Sequence, residues 1–190
     1  MSQVQVEVGP GTFLIASPTL LDPNFQRTVV LMCEHNERGS MGLVVNRPSD
    51  VALAEALAGV ELPLPPEERL FLGGPVQRDV LLVLHRTARL VPGAQPVKDG
   101  MALGGDMQVL LDLLGPGRSG GDRVRVYAGY AGWGEGQLAR ELATGSWITC
   151  AAAARFVFDL APAEVWSELL RSLGPDYARL VTMPLDPRVN

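Results

Sequence analysis

Two histidines, two cysteines and a scatter of arginines are the side chains with chemistry to offer, and their spacing decides which chemistry. His35 or His85 could act as a general base, because imidazole titrates near neutrality without help from its surroundings. Glu34 or Glu141 could orient one of them. A Ser-His-acid enzyme also needs an activated serine. Ser17, Ser40 and Ser49 stand in loop-like sequence, none within a G-x-S-x-G elbow, so a hydrolase-like enzyme is the alternative and its catalytic residues stay unassigned. Cys33, His35, His85 and Cys150 make a formal Cys₂His₂ inventory. They lack the paired spacings of a zinc site, so no metal is expected and the thiols read as free and buried.

The arginines are more suggestive. Arg27-Thr28 opens one apolar run and Asn46-Arg47 closes the next. If the two runs pair as a hairpin, these ends lie together, and Arg27, Thr28, Asn46 and Arg47 form a cluster away from His35. Two guanidiniums with an amide suit a carboxylate or phosphate. The competing reading has them tie loops through carbonyl oxygens, as most polar side chains do.

A third concentration is Tyr127-Ala128-Gly129-Tyr130-Ala131-Gly132-Trp133-Gly134, leading into Glu135-Gly136-Gln137-Leu138. Gly134 to Ala139 fits G-x-G-x-x-A, and Asp159 stands where a ribose-binding acid would. Three features argue against a dinucleotide fold. The turn from Tyr130 to Gly134 is too long, another strand intervenes at residues 147–151, and no further strand-helix units follow. Amides at the helix start could still hold an anion, opposed by Glu135. Gln137 and Glu141 share one helical face at i, i+4, and with Trp133 they complete the candidate ligand-binding set. Trp133, Trp147 and Trp166 read as core or interface aromatics.

These groups must be carried by a compact framework. Apolar β-rich runs predict strands at residues 12–16, 28–33, 41–45, 70–72, 80–84, 124–126, 147–151 and 156–158. Helices are expected at 53–58, at 107–114 behind an Asp106 N-cap, at 137–143, and at 163–173 after Pro162. Residues 36–40 read as a hairpin loop, 62–66 as a stiff spacer, and 91–96 as loop. Val4, Val6 and Val8 suggest an ordered arm, and residues 176–190 carry no strong pattern. Strands outnumber helices without alternating with them. This is the signature of one mixed α+β (α/β) domain rather than a doubly wound sheet.

Composition narrows the classes. The chain has 190 residues, 47% of them hydrophobic and 19% charged, enough for a substantial core. Sixteen basic residues stand against 21 acidic ones, with pI near 5.0, which disfavours nucleic acid as a partner. A local basic patch remains open around Arg118, Arg123 and Arg125. No apolar run suits a membrane span and no leader-like pattern opens the chain, so a cytoplasmic setting is the expectation.

In order along the chain, these segments resemble the YqgE/AlgH family of small bacterial proteins. The matching stretches are Phe13-Leu14-Ile15-Ala16-Ser17-Pro18, then Asp22-Pro23-Asn24-Phe25-Gln26-Arg27-Thr28-Val29-Val30 and Cys33-Glu34-His35-Asn36. They continue through Gly42-Leu43-Val44-Val45-Asn46-Arg47-Pro48, Gly73-Gly74-Pro75-Val76, His85 and Gly129-Tyr130-Ala131-Gly132-Trp133-Gly134, with Gln137-Leu138, Glu141 and Trp147. The resemblance implies a mixed, partly barrel-like sheet flanked by helices, and supplies no catalytic mechanism. The AlgH label carries an association with transcriptional regulation that does not imply DNA contact. An extension (1–11), a domain (12–175) and a tail (176–190) follow. The expectation is a non-catalytic binding or regulatory module without cofactor, taking a small anion or a protein partner, with homo-oligomerisation left open. Its site would join the Arg27/Asn46/Arg47 region to the glycine-rich stretch.

Overall fold

The computed structural model describes residues 6–115 and 117–184, so Val4 and residues 185–190 lie outside the description. Ten strands run β1 (Thr12–Ala16), β2 (Val29–Asn36), β3 (Gly39–Val44), β4 (Pro48–Ala52), β5 (Arg69–Leu72), β6 (Val76–Arg86), β7 (Gln95–Lys98), β8 (Met101–Leu103), β9 (Arg123–Gly134) and β10 (Trp147–Ala151). Six helices accompany them: α1 (Leu53–Ala56), α2 (Met107–Leu114), α3 (Gln137–Ala143), α4 (Ala154–Phe158), α5 (Pro162–Ser172) and α6 (Pro175–Ala178), the last continued by a 3₁₀ turn (Arg179–Thr182).

The sheet order is β10-β1-β2-β3-β9-β6-β8-β7, with β5 paired to β9 and β4 to β5. Neighbours are antiparallel except β5 and β9. This is the mixed α+β fold, a sheet curled into a half-barrel. The apolar strands are buried on both faces, which is why they read as runs rather than alternations. Phe13, Ile15, Val29, Leu31 and Cys33 face inward onto α4 and α5, where Phe156, Trp166 and Leu170 fill the concavity. Leu14, Ala16, Val30 and Met32 face outward, under Phe25 and α3. A third cluster seats α1 and α2 against Val124, Val126 and Ala128 of β9.

Several expectations need correction. Residues 156–158 are helix, because a short apolar run does not separate a strand from a buried helical turn. Residues 48–52, for which no strand was expected, form β4, with proline tolerated at its first position. The presumed loop at 91–96 runs into β7, an edge strand in which Pro96 costs no ladder bond that matters, and β7 pairs with β8. The hairpin turn is tighter than foreseen, with Asn36 opposite Gly39. Residues 176–182 are helical and pack Tyr177, Leu180 and Val181 against the core.

The largest correction concerns the glycine-rich stretch. It is strand throughout: β9 pairs with β5 and β6 in its first half and with β3 in its second. The bend between them is at Gly129, with φ +68. A Cβ there would sit 2.6 Å from the Val76 carbonyl oxygen, so only glycine passes. Opposite this bend, β6 bulges. Val76 pairs with Tyr130 and Leu81 with Ala128, leaving residues 77–80 outside the ladder.

Candidate functional site

The structure gathers Arg27, Thr28, Asn46 and Arg47 at one place and shows what each holds. The Asn46 side chain accepts from the Val29 amide at 2.9 Å and donates to the Arg27 carbonyl at 3.0 Å, stitching the loop to the strand. Arg47 donates to the carbonyls of Pro23 (3.1 Å), Asn24 (2.6 Å) and Gln26 (3.3 Å). Burial, reinforced by the nearby Arg78 guanidinium, lowers its pKa. Arg27 donates to the Met183 carbonyl and lies 5.0 Å over the Trp166 ring, while the Thr28 hydroxyl donates to the Phe25 carbonyl. The cluster is a clamp on the loop before β2, and its donors already face carbonyls.

Trp133, Gln137 and Glu141 are likewise brought together. One Glu141 oxygen accepts from both indoles, Trp133 at 2.9 Å and Trp147 at 2.7 Å, and the other accepts from Gln137 at 3.0 Å. The Gln137 carbonyl oxygen takes the Gly134 amide, one of the amides an anion would have used. Phe25 packs against both tryptophans. Asp159, the would-be ribose partner, pairs instead with Arg123 at 3.4 Å. Glu141 is thus the polar centre of an aromatic corner.

The histidines part company. His85 is buried, with Nε2 2.9 Å from the Gly104 carbonyl, so Nε2 carries the proton in that bond; Nδ1 has no hydrogen-bond partner among the described residues. His35 is exposed at the hairpin tip, its Nδ1 2.6 Å from the Ser40 hydroxyl. Neither makes an ion pair with a carboxylate among the described residues. Cys33 and Cys150 are buried free thiols, pushed up by burial to about 12 and about 11.

Two hollows flank the hairpin tip. The smaller, about 390 Å³, lies between His35, Ser40 and the start of α3. The larger, about 610 Å³, lies between the hairpin and the 77–80 bulge. Met41, Val76, Val80, Leu82 and Tyr130 make its apolar walls, and Glu34, Arg38 and Gln77 its polar rim. Gln77 holds a left-handed backbone, φ +47, which a side-chain-bearing residue rarely adopts.

The AlgH-like family profile matches residues 13–178. The chain belongs to the AlgH-like family. A UPF0301 protein of Chlorobium limicola is 42% identical over 181 residues, covering 95% of each chain. One of Cytophaga hutchinsonii is 40% identical, over 95% of this chain and 98% of its own. The crystal structure of a Corynebacterium diphtheriae protein superposes with a TM-score of 0.77 at 25% identity, covering 93% of each chain. The solution structure of the AlgH protein of Pseudomonas aeruginosa gives 0.71 at 36% identity, covering 95% of this chain and 97% of that one. None of those names states a ligand or a reaction, so membership fixes the fold and leaves the chemistry to the surface.

In this AlgH-like chain Trp133 borders the larger hollow and His35 the smaller, but the 77–80 wall of the larger one is not among the candidates named from the sequence. Val80 and Leu82 read as an ordinary buried strand, yet Val80 is 39% exposed because the bulge lifts it out of the sheet. The signal available was Gly73-Gly74-Pro75 before the run, facing Gly129 in the partner strand: glycines on both sides of a close backbone crossing. No helix among the described residues is long and apolar enough to cross a membrane.

Proposed function

We propose that this AlgH-like protein is a non-catalytic binding or regulatory module that receives an apolar side chain of a protein partner in the cleft between the β2–β3 hairpin and the 77–80 bulge. One observation carries the reading: methionine, valine, leucine and tyrosine surfaces stay open between the paired β2–β3 hairpin and the 77–80 bulge that leaves the ladder, with charge at the rim. Apolar and aromatic centres inside polar rims are the usual anatomy of protein interfaces. The strained Gln77 supports it, since such backbone is kept where surroundings or partners require it. Free buried thiols suit a reducing cytoplasmic setting. A photo-crosslinking residue at Val80, introduced in the native cells, is expected to give a discrete adduct that Tyr130→Ala abolishes. Adducts indifferent to Tyr130→Ala would remove the cleft from the mechanism.

A second reading rests on one contact. The 2.6 Å His35–Ser40 pair is a base beside a hydroxyl, the first half of a hydrolytic dyad. Among the described residues no carboxylate orients the ring, and the Gly134 amide that could serve an oxyanion is occupied by Gln137. Incubation with a fluorophosphonate probe is expected to leave Ser40 unlabelled. Labelling that disappears in His35→Ala would make the protein a hydrolase.

A further inference from the structure

Upstream of its bend, β9 borders a different hollow of about 450 Å³, which shares no lining residue with the hairpin–bulge cleft. It exists because β5 and β9 pair only at Phe71–Tyr127 and Leu72–Ala128; upstream, β5 pairs with β4 through Arg69 and Ala52. Four arginines line the gap (Arg69, Arg118, Arg123 and Arg125) against two glutamates, Glu67 and Glu68.

The four are not equivalent. Arg118 pairs with Glu68 at 2.5 Å. Arg123 reaches Asp159 and donates to the carbonyls of Gly120 and Asp122. Arg125 is half-buried, and its guanidinium lies 4.4 Å over the Phe71 ring and 5.8 Å from that of Phe158. It donates a long hydrogen bond, 3.4 Å, to the Val45 carbonyl, stands against the Tyr127 hydroxyl, and pairs with no carboxylate among the described residues. The Tyr127 hydroxyl beside it is fully buried and meets the Arg125 guanidinium only in a poorly aligned contact. Across the gap, Arg69 is exposed and has no acidic partner among the described residues. A guanidinium drawn partly out of water, with only a long carbonyl bond and a poorly aligned phenol contact on its fork, is costly until an anion completes it.

We propose that this hollow binds a small organic oxyanion, a phosphate monoester or carboxylate carried on a flat apolar body. Arg125 and Arg69 hold the charge from opposite walls, and the apolar part lies against Phe158, Leu53 and Pro162. The planar forks suit a two-oxygen anion, and the aromatic wall selects against a bare inorganic ion.

The test is an amide-resolved NMR titration with phenyl phosphate, with inorganic phosphate as the second arm. Phenyl phosphate is expected to shift the resonances of Phe71 and of residues 123–126. Inorganic phosphate should move the same set with affinity lower by about tenfold, for want of the apolar contact. Arg125→Gln is expected to weaken phenyl phosphate by about tenfold or more, and Arg69→Gln by a few-fold, as charge-assisted contacts are lost. Arg171→Gln, on the far surface of α5, should change nothing. If Arg125→Gln fails to fold, Arg69→Gln decides, since its side chain is exposed. Unmoved resonances at millimolar phenyl phosphate, equal affinity for both ligands, or wild-type affinity in the Arg69 and Arg125 variants would each overturn the proposal.

Discussion

The clamp around Arg47 and the cleft beneath the 77–80 bulge differ in what they leave unoccupied. Around Arg47 the guanidinium meets three carbonyls, Asn46 uses both ends of its amide, and the adjoining hollow is about 20 Å³. The cleft sets the polar side chains of Glu34, Asn36, Arg38, Ser40 and Gln77 beside about 610 Å³ of open space walled by Met41, Val76, Val80, Leu82 and Tyr130. A cluster of charged and amide residues serves as scaffolding where backbone carbonyls lie within reach, and on the proposed reading the exposed apolar residues are where a partner enters. The glycine-rich strand joins the two cases: its tryptophan end is closed around Glu141, and its arginine end is left open.

The largest expected effect tests whether the closed groups really are structural. Glu141→Ala strands two indole N–H groups and a glutamine, each lost bond to a charged acceptor being worth about 1.5–3 kcal/mol. With partial solvent access, a loss of about 3–4 kcal/mol in denaturant unfolding is expected; under 1 kcal/mol would mean the carboxylate is available for another role. Arg47→Ala comes next, at about 2 kcal/mol, because water can reach some of the three abandoned carbonyls. An unchanged midpoint, with loss of binding to a phosphate ligand, would instead restore the Arg27/Arg47 anion site.

Asp122 belongs with the closed groups. The Thr87 hydroxyl, then the Ser119 amide, hold its carboxyl below the ordinary range. A depressed folded-state pKa means stability present above the unfolded value, about 3.9, and lost as pH falls through the lowered one. Asp122→Asn should therefore lower the melting temperature by about 2 °C at neutral pH, with the gap closing below about pH 4. A constant gap would show that the charge is irrelevant. The smallest effect is on the open side: Val80→Asp should change stability by less than about 0.5 kcal/mol, as exposed positions do, while disabling the cleft.

Much of the fold was legible in the residues. Apolar runs such as Phe13-Leu14-Ile15 announced strands buried on both faces, and Asp106 marked the start of α2, where it accepts from Gln108 and Val109. The register across β6 and β9 was not legible, because it depends on glycines meeting from distant segments: a Cβ on Gly74 would overlap the Tyr130 backbone. The candidate residues were grouped correctly in two places, Arg27 with Asn46 and Arg47, and Gln137 with Glu141. Their partners could not be read, since carbonyls and indoles from elsewhere in the chain carry no local signature. Arg118, Arg123 and Arg125, singled out as a basic patch, do converge, but Arg69 on the opposite wall was out of reach of any spacing argument.

The contrast between clamp and cleft is tested most directly by paired photo-crosslinking in the native cells, with the probe at Val80 in the cleft or at Asp22, exposed on the loop that Arg47 holds. Recognition through the cleft predicts a discrete protein adduct from Val80 that Tyr130→Ala removes, and none from Asp22. Adducts from Asp22 with none from Val80 would contradict it and move the binding surface back to the arginine clamp.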